Sequence, residues 1–207
     1  MPTRNTNFQR KNYALPMSVR HFYITEREVQ SMEKILADTA AIQRMTARLS
    51  HEVIERNPDL KGVVLVGILR RGAVLADMLS EGIERITNVK FPVGYLDITL
   101  YRDDLEKLSE SPRVNGSDIK FDITGKTVII VDDVIFTGRT VRAAIDALFD
   151  LGRPKKIQLA TLVDRGHREL PIKPDFVGKN IPTSLDEIIM VKVPEYDGEL
   201  TIALTSI

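Results

Sequence analysis

Residues 128–140 read Val128-Ile129-Ile130-Val131-Asp132-Asp133-Val134-Ile135-Phe136-Thr137-Gly138-Arg139-Thr140, and the order of residue types here decides the fold. Four β-branched residues in a row mark a strand buried on both faces, as in a parallel sheet. Two adjacent carboxylates follow at its carboxyl end, and a short Thr/Gly loop then opens directly into a helix. Ligands of open α/β sheets bind at this edge. The helix N-terminus offers unpaired N–H groups and a partial positive charge, so the loop from Phe136 to Thr140 suits a phosphate monoester. Gly138 lets the backbone come close, and the hydroxyls of Thr137 and Thr140 add donors. Asp132 and Asp133 repel an anion but suit sugar hydroxyls or a hydrated divalent cation. Phosphate donors one turn from a diol-binding acidic pair describe a ribose 5-phosphate site. Capping residues of a plain strand-turn-helix junction use some of these types, but not all of them in one run.

Working outward, residues 126–131 and Ile157–Val163 read as strands, with a helix over Val141–Leu151 between them that Gly152 and Pro154 end. Upstream, Gly62-Val63-Val64-Leu65-Val66-Gly67 is another buried strand, followed by a helix from Ala73 to about Arg85. Gly94–Leu100 alternates and predicts a strand with Leu96, Ile98 and Leu100 on one face. From about Lys34 to Asn57 the spacing of Ile42, Met45, Leu49 and Val53 predicts a helix, stopped by Asn57-Pro58. Further strands are expected at Glu187–Val193 and Thr201–Thr205. Residues 101–124 are charged and turn-rich, as a functional flap is. Strands alternating with helices imply an α/β fold with a mostly parallel sheet flanked by helices. Residues 1–31 show little periodicity and hold five basic against two acidic residues. They read as an extension outside a domain spanning 32–207.

Composition bounds the function. The 207 residues carry 29 Lys+Arg and 29 Asp+Glu, which excludes a broadly basic nucleic-acid coat but leaves room for local patches. With no Cys, disulfides, thiolate metal sites and a Cys nucleophile are excluded. The longest apolar run, Val63–Val66 extended by Ile68 and Leu69, falls far short of the ~20 residues that cross a bilayer. The stretch from Met1 to Gln9 is polar and unlike a signal peptide, so a soluble, cytoplasmic protein with no membrane partner is expected.

The 128–140 stretch resembles the phosphoribosyl-diphosphate motif of type I phosphoribosyltransferases. The resemblance implies that Asp132 and Asp133 contact the ribose hydroxyls and that Phe136, Thr137, Gly138, Arg139 and Thr140 hold the 5-phosphate. Gly67-Ile68-Leu69-Arg70-Arg71-Gly72 is similar to the family's pyrophosphate loop, so Arg70, Arg71 and Gly72 are expected at the diphosphate. Arg70 stands where the family carries Thr, which puts more weight on Arg71. Asp97 to Asp104 resembles the start of the family's flexible flap, with Tyr101 and Arg102 as catalytic candidates beside Asp132, Asp133 and Arg71. The fold implied is the type I phosphoribosyltransferase fold with a flap and a small hood. Mg²⁺ is implied as cofactor, held mainly through diphosphate and ribose oxygens, with no protein ligand assigned.

Members acting on 6-oxopurines carry an Asp where this chain has Phe136 and a Lys where it has Asp164, so a purine base is disfavoured. The segment Leu162 to Ser184 resembles pyrimidine-operon attenuation proteins that are also uracil phosphoribosyltransferases, a likeness running from about Lys34 to Ile207. It implies uracil and phosphoribosyl diphosphate as substrates and UMP as product, with Val163, Asp164 and Arg165 at the base. It also implies leader mRNA as a partner, bound by Arg48, His51 and Arg56 on the first helix and by His167, Arg168, Lys173 and Lys179 in the hood, in a homodimer or homotetramer. Ala47 and Lys173 depart from the regulators' Thr and Arg, and Lys cannot make bidentate contacts. A metabolic transferase without an RNA role, and a nucleotide sensor without turnover, are the alternatives.

Overall fold

The computed structural model describes residues 33–101 and 117–206. The extension 1–31, Arg102 and most of the expected flap lie outside the described residues. In chain order the elements are β1 (Lys34–Ala37), α1 (Thr39–Arg56), β2 (Val63–Ile68), α2 (Arg71–Thr87), β3 (Val93–Leu96), β4 (Thr127–Ile135), α3 (Arg139–Leu151), β5 (Lys156–Asp164), β6 (Phe176–Asn180), β7 (Glu187–Lys192), α4 (Pro194–Asp197) and β8 (Thr201–Ser206).

Five strands form a wholly parallel sheet in the order β3-β2-β4-β5-β6. Its central strands are apolar throughout because helices cover both faces. Ile129 and Val131 of β4 point into a core shared with α1 and α2, and Val128 and Ile130 into a second core shared with α3. All four are at most 4% exposed, and burying each side chain contributes about 1.5–3 kcal/mol. The chain leaves β2 toward β3 on one side and β4 toward β5 on the other. The carboxyl ends of β2 and β4 are therefore the topological switch point, where such sheets open a crevice.

The strands expected near the carboxyl end, at Glu187–Lys192 and Thr201–Ser206, stand apart from this sheet. They pair antiparallel with each other, and β1 adds to β8 to make a separate three-stranded hood in the order β1-β8-β7. The helix expected from Lys34 is thus corrected at its start. Lys34–Ala37 is a strand, and Asp38 caps the helix by accepting from the Ala41 N–H at 2.8 Å. The strand expected over Gly94–Leu100 ends at Leu96. A 3-10 turn follows at Thr99–Tyr101, which keeps Ile98 buried while Leu100 is 43% exposed. Phe176–Asn180, for which no strand was expected, is an edge strand of the sheet. No helix among the described residues is long and apolar enough to cross a membrane.

Candidate active site

Two loops meet at the switch point. After β2, Leu69 and Arg70 turn the chain and α2 begins at once at Arg71. Gly72 presses this turn against β4: a Cβ there would lie 2.5 Å from the Val131 carbonyl oxygen and 3.2 Å from the Asp132 Cα. Only glycine allows that approach, and the approach sets the arginines beside the carboxylates. After β4, the chain bends through Phe136 and Thr137 to Gly138, whose φ of +95° favours glycine, and α3 starts at Arg139.

The result is two adjoining clefts. One, of about 260 Å³, is lined by Arg70, Arg71, Gly72, Asp97, Thr99, Asp132, Asp133 and Thr140 among others. The other, of about 330 Å³, is lined by residues 134–141 together with Asp132 and Glu169. Asp132, Val134 and Thr140 line both. A cleft bearing arginines and one at a helix N-terminus are thus joined at the Asp132 carboxylate, with Asp133 beside it in the first, an arrangement suited to a sugar phosphorylated at both ends.

Asp132 is buried, and Asp133 beside it accepts from the Val134 N–H at 2.9 Å. Burial pushes the Asp133 carboxyl above its ordinary pKa, against the lowering pull of the Val134 N–H, Arg71, its own backbone and Asp132. Among the described residues no three His, Cys, Asp or Glu side chains gather to hold a metal ion. The donor set fits a divalent cation held largely by substrate oxygens rather than by a protein cage.

In the loop after β4, Thr137 braces the turn: its carbonyl accepts from the Glu169 and Leu170 N–H groups, each at 3.0 Å. The Arg139 side chain turns outward to Glu169, with Nη2 at 2.6 Å from the carboxylate, and its backbone N–H donates to Thr137 Oγ1 at 3.3 Å. Phe136 turns the other way. Arg165 stacks over its ring at 4.1 Å to the centroid, and His167 meets it edge-on at 5.9 Å. Arg165 is itself fixed by Thr183 Oγ1 at 3.1 Å and by the carbonyls of Ser184 and Glu187 at 3.2 and 2.7 Å. Val163 is buried in the first core, and Asp164 is occupied by Arg168 at 2.6 Å.

Not every expected residue reaches the clefts. The Tyr101 hydroxyl donates to Asp150 near the end of α3 at 2.7 Å, and its ring packs on the second core, so the structure does not bring Tyr101 to the carboxylates. Arg168, expected to face RNA, faces inward. Nη1 donates to the carbonyls of Phe136 and Gly166, Nε to that of Ile172, and Nη2 to Asp164. These bonds engage four of its five guanidinium N–H groups and tie the loop after β4 to the 164–172 segment.

The two expected basic patches adjoin. Arg48 pairs with Glu52 and donates to the carbonyls of Val177 and Gly178 on the edge strand, at 2.9 and 2.6 Å. Arg56 pairs with Asp175 at 3.4 Å and lies 6.0 Å from the Phe176 ring centroid. Both arginines fasten α1 to β6. Lys173 and Lys179 are exposed, while His51 opens onto a groove of about 520 Å³ between α1 and α2. The His167 ring Nε2 lies 2.6 Å from the Thr183 carbonyl and must donate to it. Asp197, which the sequence reading did not single out, pairs with Arg71.

A family model described as the phosphoribosyl transferase domain matches residues 30–197. The protein named bifunctional protein PyrR of Halalkalibacterium halodurans is 57% identical over 83% of this chain and 97% of its own length. That of Clostridium perfringens is 61% identical over 79% and 92%. Among solved structures, the hypoxanthine phosphoribosyltransferase of Trypanosoma cruzi superposes with a TM-score of 0.65 over 86% of this chain and 98% of that one, at 21% identity, which shows the shared fold. With a matching domain model and relatives well above half identity over most of its length, this chain belongs to the phosphoribosyl transferase domain family and, within it, to the bifunctional PyrR proteins.

Proposed function

We infer that residues 32–207 transfer the phosphoribosyl group of phosphoribosyl diphosphate to uracil, giving UMP and diphosphate, and that the protein also binds pyrimidine-operon leader mRNA under control of UMP to attenuate transcription. The observation that carries the enzymatic reading is the pair of clefts joined at Asp132, Val134 and Thr140. The name of the relatives, bifunctional, supports the pairing of two activities.

In this reading the ribose 2′ and 3′ hydroxyls donate to Asp132 and Asp133, while backbone N–H groups over residues 137–140 hold the 5-phosphate. Arg71, with Arg70, neutralises charge growing on the leaving diphosphate as the bond from C1′ to oxygen breaks and the bond from uracil N1 to C1′ forms, the N1 proton passing to the departing diphosphate or to solvent. The transition state is oxocarbenium-like, so positioning and charge stabilisation carry the rate. Mg²⁺, held by substrate oxygens with Asp132 and Asp133 nearby, supplies further charge neutralisation when bound. Phe136 under Arg165 gives the base an aromatic wall without a proton acceptor, and Asp164 is paired to Arg168, so nothing at either place serves a 6-oxopurine. We place the protein in the cytoplasm, as a homodimer or homotetramer.

A radiolabelled-base assay with uracil, hypoxanthine and orotate in competition is expected to show transfer to uracil alone; preference for hypoxanthine overturns the base assignment. For RNA, Lys173 and Lys179 are exposed cations beside the face where α1 meets β6, near the half-exposed Arg48 and Arg56. Titration of leader RNA with UMP present is expected to show affinity falling with salt. Lys173→Ala and Lys179→Ala should each reduce the salt slope by about 1, as loss of a phosphate contact does. Salt-insensitive binding removes the RNA role, and slopes unchanged in both variants remove these two lysines from it.

A further inference from the structure

Arg71 does not wait in the cleft unheld. Asp197, 126 residues later at the end of α4, meets its guanidinium side-on: Nε lies 3.3 Å from Oδ2 and Nη2 lies 2.8 Å from Oδ1. The carboxylate is itself fixed by its own helix. Oδ2 accepts from the Val193 N–H at 2.9 Å, and the Asp197 N–H donates to the Val193 carbonyl at 2.8 Å. Burial tends to raise its pKa, but the Val193 N–H and Arg71 outweigh burial and hold the carboxyl below its ordinary value, so it is charged at neutral pH. Pairing of this form uses one edge of the guanidinium and leaves Nη1 for a ligand in the cleft that Arg71 lines.

We propose that Asp197 is a positioning residue for the transferase reaction: from the hood, it holds Arg71 with its free nitrogen turned toward the leaving diphosphate. The inference rests on the reading of the clefts given above. Holding a long, flexible side chain before the substrate arrives removes an ordering cost from the binding step. The opposing effect is repulsion between Asp197 and the diphosphate. The side chains of Arg71 and Asp197 are 40% and 21% exposed, so solvent screens that repulsion, whereas solvent does not relax the rotamer restraint. Orientation therefore wins, and the hood braces the diphosphate loop as well as closing the fold.

The test is steady-state kinetics of Asp197→Asn, which keeps an acceptor for the Val193 N–H, with calorimetric binding of inorganic diphosphate. The KM for phosphoribosyl diphosphate should rise roughly tenfold, as loss of one charge-assisted contact predicts, with kcat and the KM for uracil little changed. Diphosphate should bind more weakly by a similar factor. In an Arg71→Ala background the same substitution should add nothing, because its effect passes through the guanidinium. Arg71→Lys, which cannot make the side-on pair, gives a second reading if Asp197→Asn melts early, and the same rise in KM is expected. Unchanged or lowered KM, or additive losses in the double variant, overturns the proposal. Wild-type protein that binds no diphosphate overturns the reading of the clefts together with it, whereas wild-type binding with unaltered variants overturns this inference alone.

Discussion

Asp132→Asn combined with Asp133→Asn is expected to lower kcat/KM by roughly a thousandfold or more while the protein stays folded and melts no earlier than the wild type. Each carboxylate in this reading accepts a charge-assisted hydrogen bond from a ribose hydroxyl, worth about 1.5–3 kcal/mol, so losing two removes on the order of two to four decades. The stability side has the opposite sign. Burial raises the folded pKa of Asp133 above its value in the unfolded chain. Protons therefore bind the folded state more tightly. The stabilisation this gives is full below the unfolded value, about 3.9, and is lost as pH rises through the higher folded value. At neutral pH the charged, buried carboxylate works against folding, and Asn removes that cost without changing shape. A site that costs stability and is needed for turnover is the expected signature of a functional carboxylate. The measurement is a uracil transfer assay beside thermal melts at pH 4 and pH 7, with any gain in melting temperature larger at pH 7. Near-wild-type turnover in the double variant sinks the assignment of the clefts.

The parts of the fold that were legible in the sequence are those whose residues answer to one surrounding. Val63–Ile68 and Thr127–Ile135 are covered on both faces, so their apolar runs name them as central parallel strands wherever the rest of the chain goes. The Asp132–Thr140 stretch was legible because its strand end, loop and helix start are contiguous. Elements made by distant partners were not. Lys34–Ala37 is a strand only because Lys34 and Ile35 find Leu204 and Ala203, and four residues ahead of a capping Asp carry no period of their own. Phe176–Asn180 is an edge strand ending in Lys179 and Asn180. Gly178 sits there because a Cβ would lie 2.4 Å from the Leu162 carbonyl oxygen, and a lone glycine in polar surroundings reads as a loop. In Gly94–Leu100 the alternation outlasts the strand, since Ile98 is buried from a turn rather than from a sheet.

The site shows the same division. Arg70 and Arg71 lie in one contiguous motif and Asp132 and Thr140 in another, and the four line one cleft. Asp197 carries no local mark, because its meaning comes from Arg71 across the hood. For cations the sequence gives charge but not direction. Arg48 and Arg56 look like a solvent-facing basic stripe, yet each reaches across to β6, covering carbonyls or a carboxylate at the sheet's edge. Both arginines stay about half exposed while doing so, and His51, His167, Lys173 and Lys179 are exposed as well, so the RNA reading keeps these side chains while two of them also brace the fold.

Arg168→Ala follows from that difference, and its expected result is a loss of stability rather than a selective loss of RNA affinity. The guanidinium lies 2.6 Å from Asp164, 2.7 Å from the Phe136 carbonyl, 2.9 Å from that of Ile172 and 3.1 Å from that of Gly166. Its side chain is 22% exposed and that of Asp164 is 17% exposed. Truncation strands a mostly buried carboxylate and leaves three carbonyls short of a donor, a mechanism that typically costs about 3–5 kcal/mol. For a domain of this size that lowers the melting temperature by about 6–20 °C. The groups released sit at the mouth of the phosphate loop, where Arg168 ties Phe136 to the 166–172 turn, so the KM for phosphoribosyl diphosphate should rise as well. Arg168→Lys separates fork from charge. One ammonium cannot serve four acceptors spread over three chain segments, so Lys should recover little of the stability although it restores the positive charge that an RNA contact would need. Lys179→Ala should do the reverse, weakening RNA binding at an unchanged melting temperature. An Arg168→Ala protein that melts like the wild type and loses only RNA affinity would return Arg168 to the RNA face.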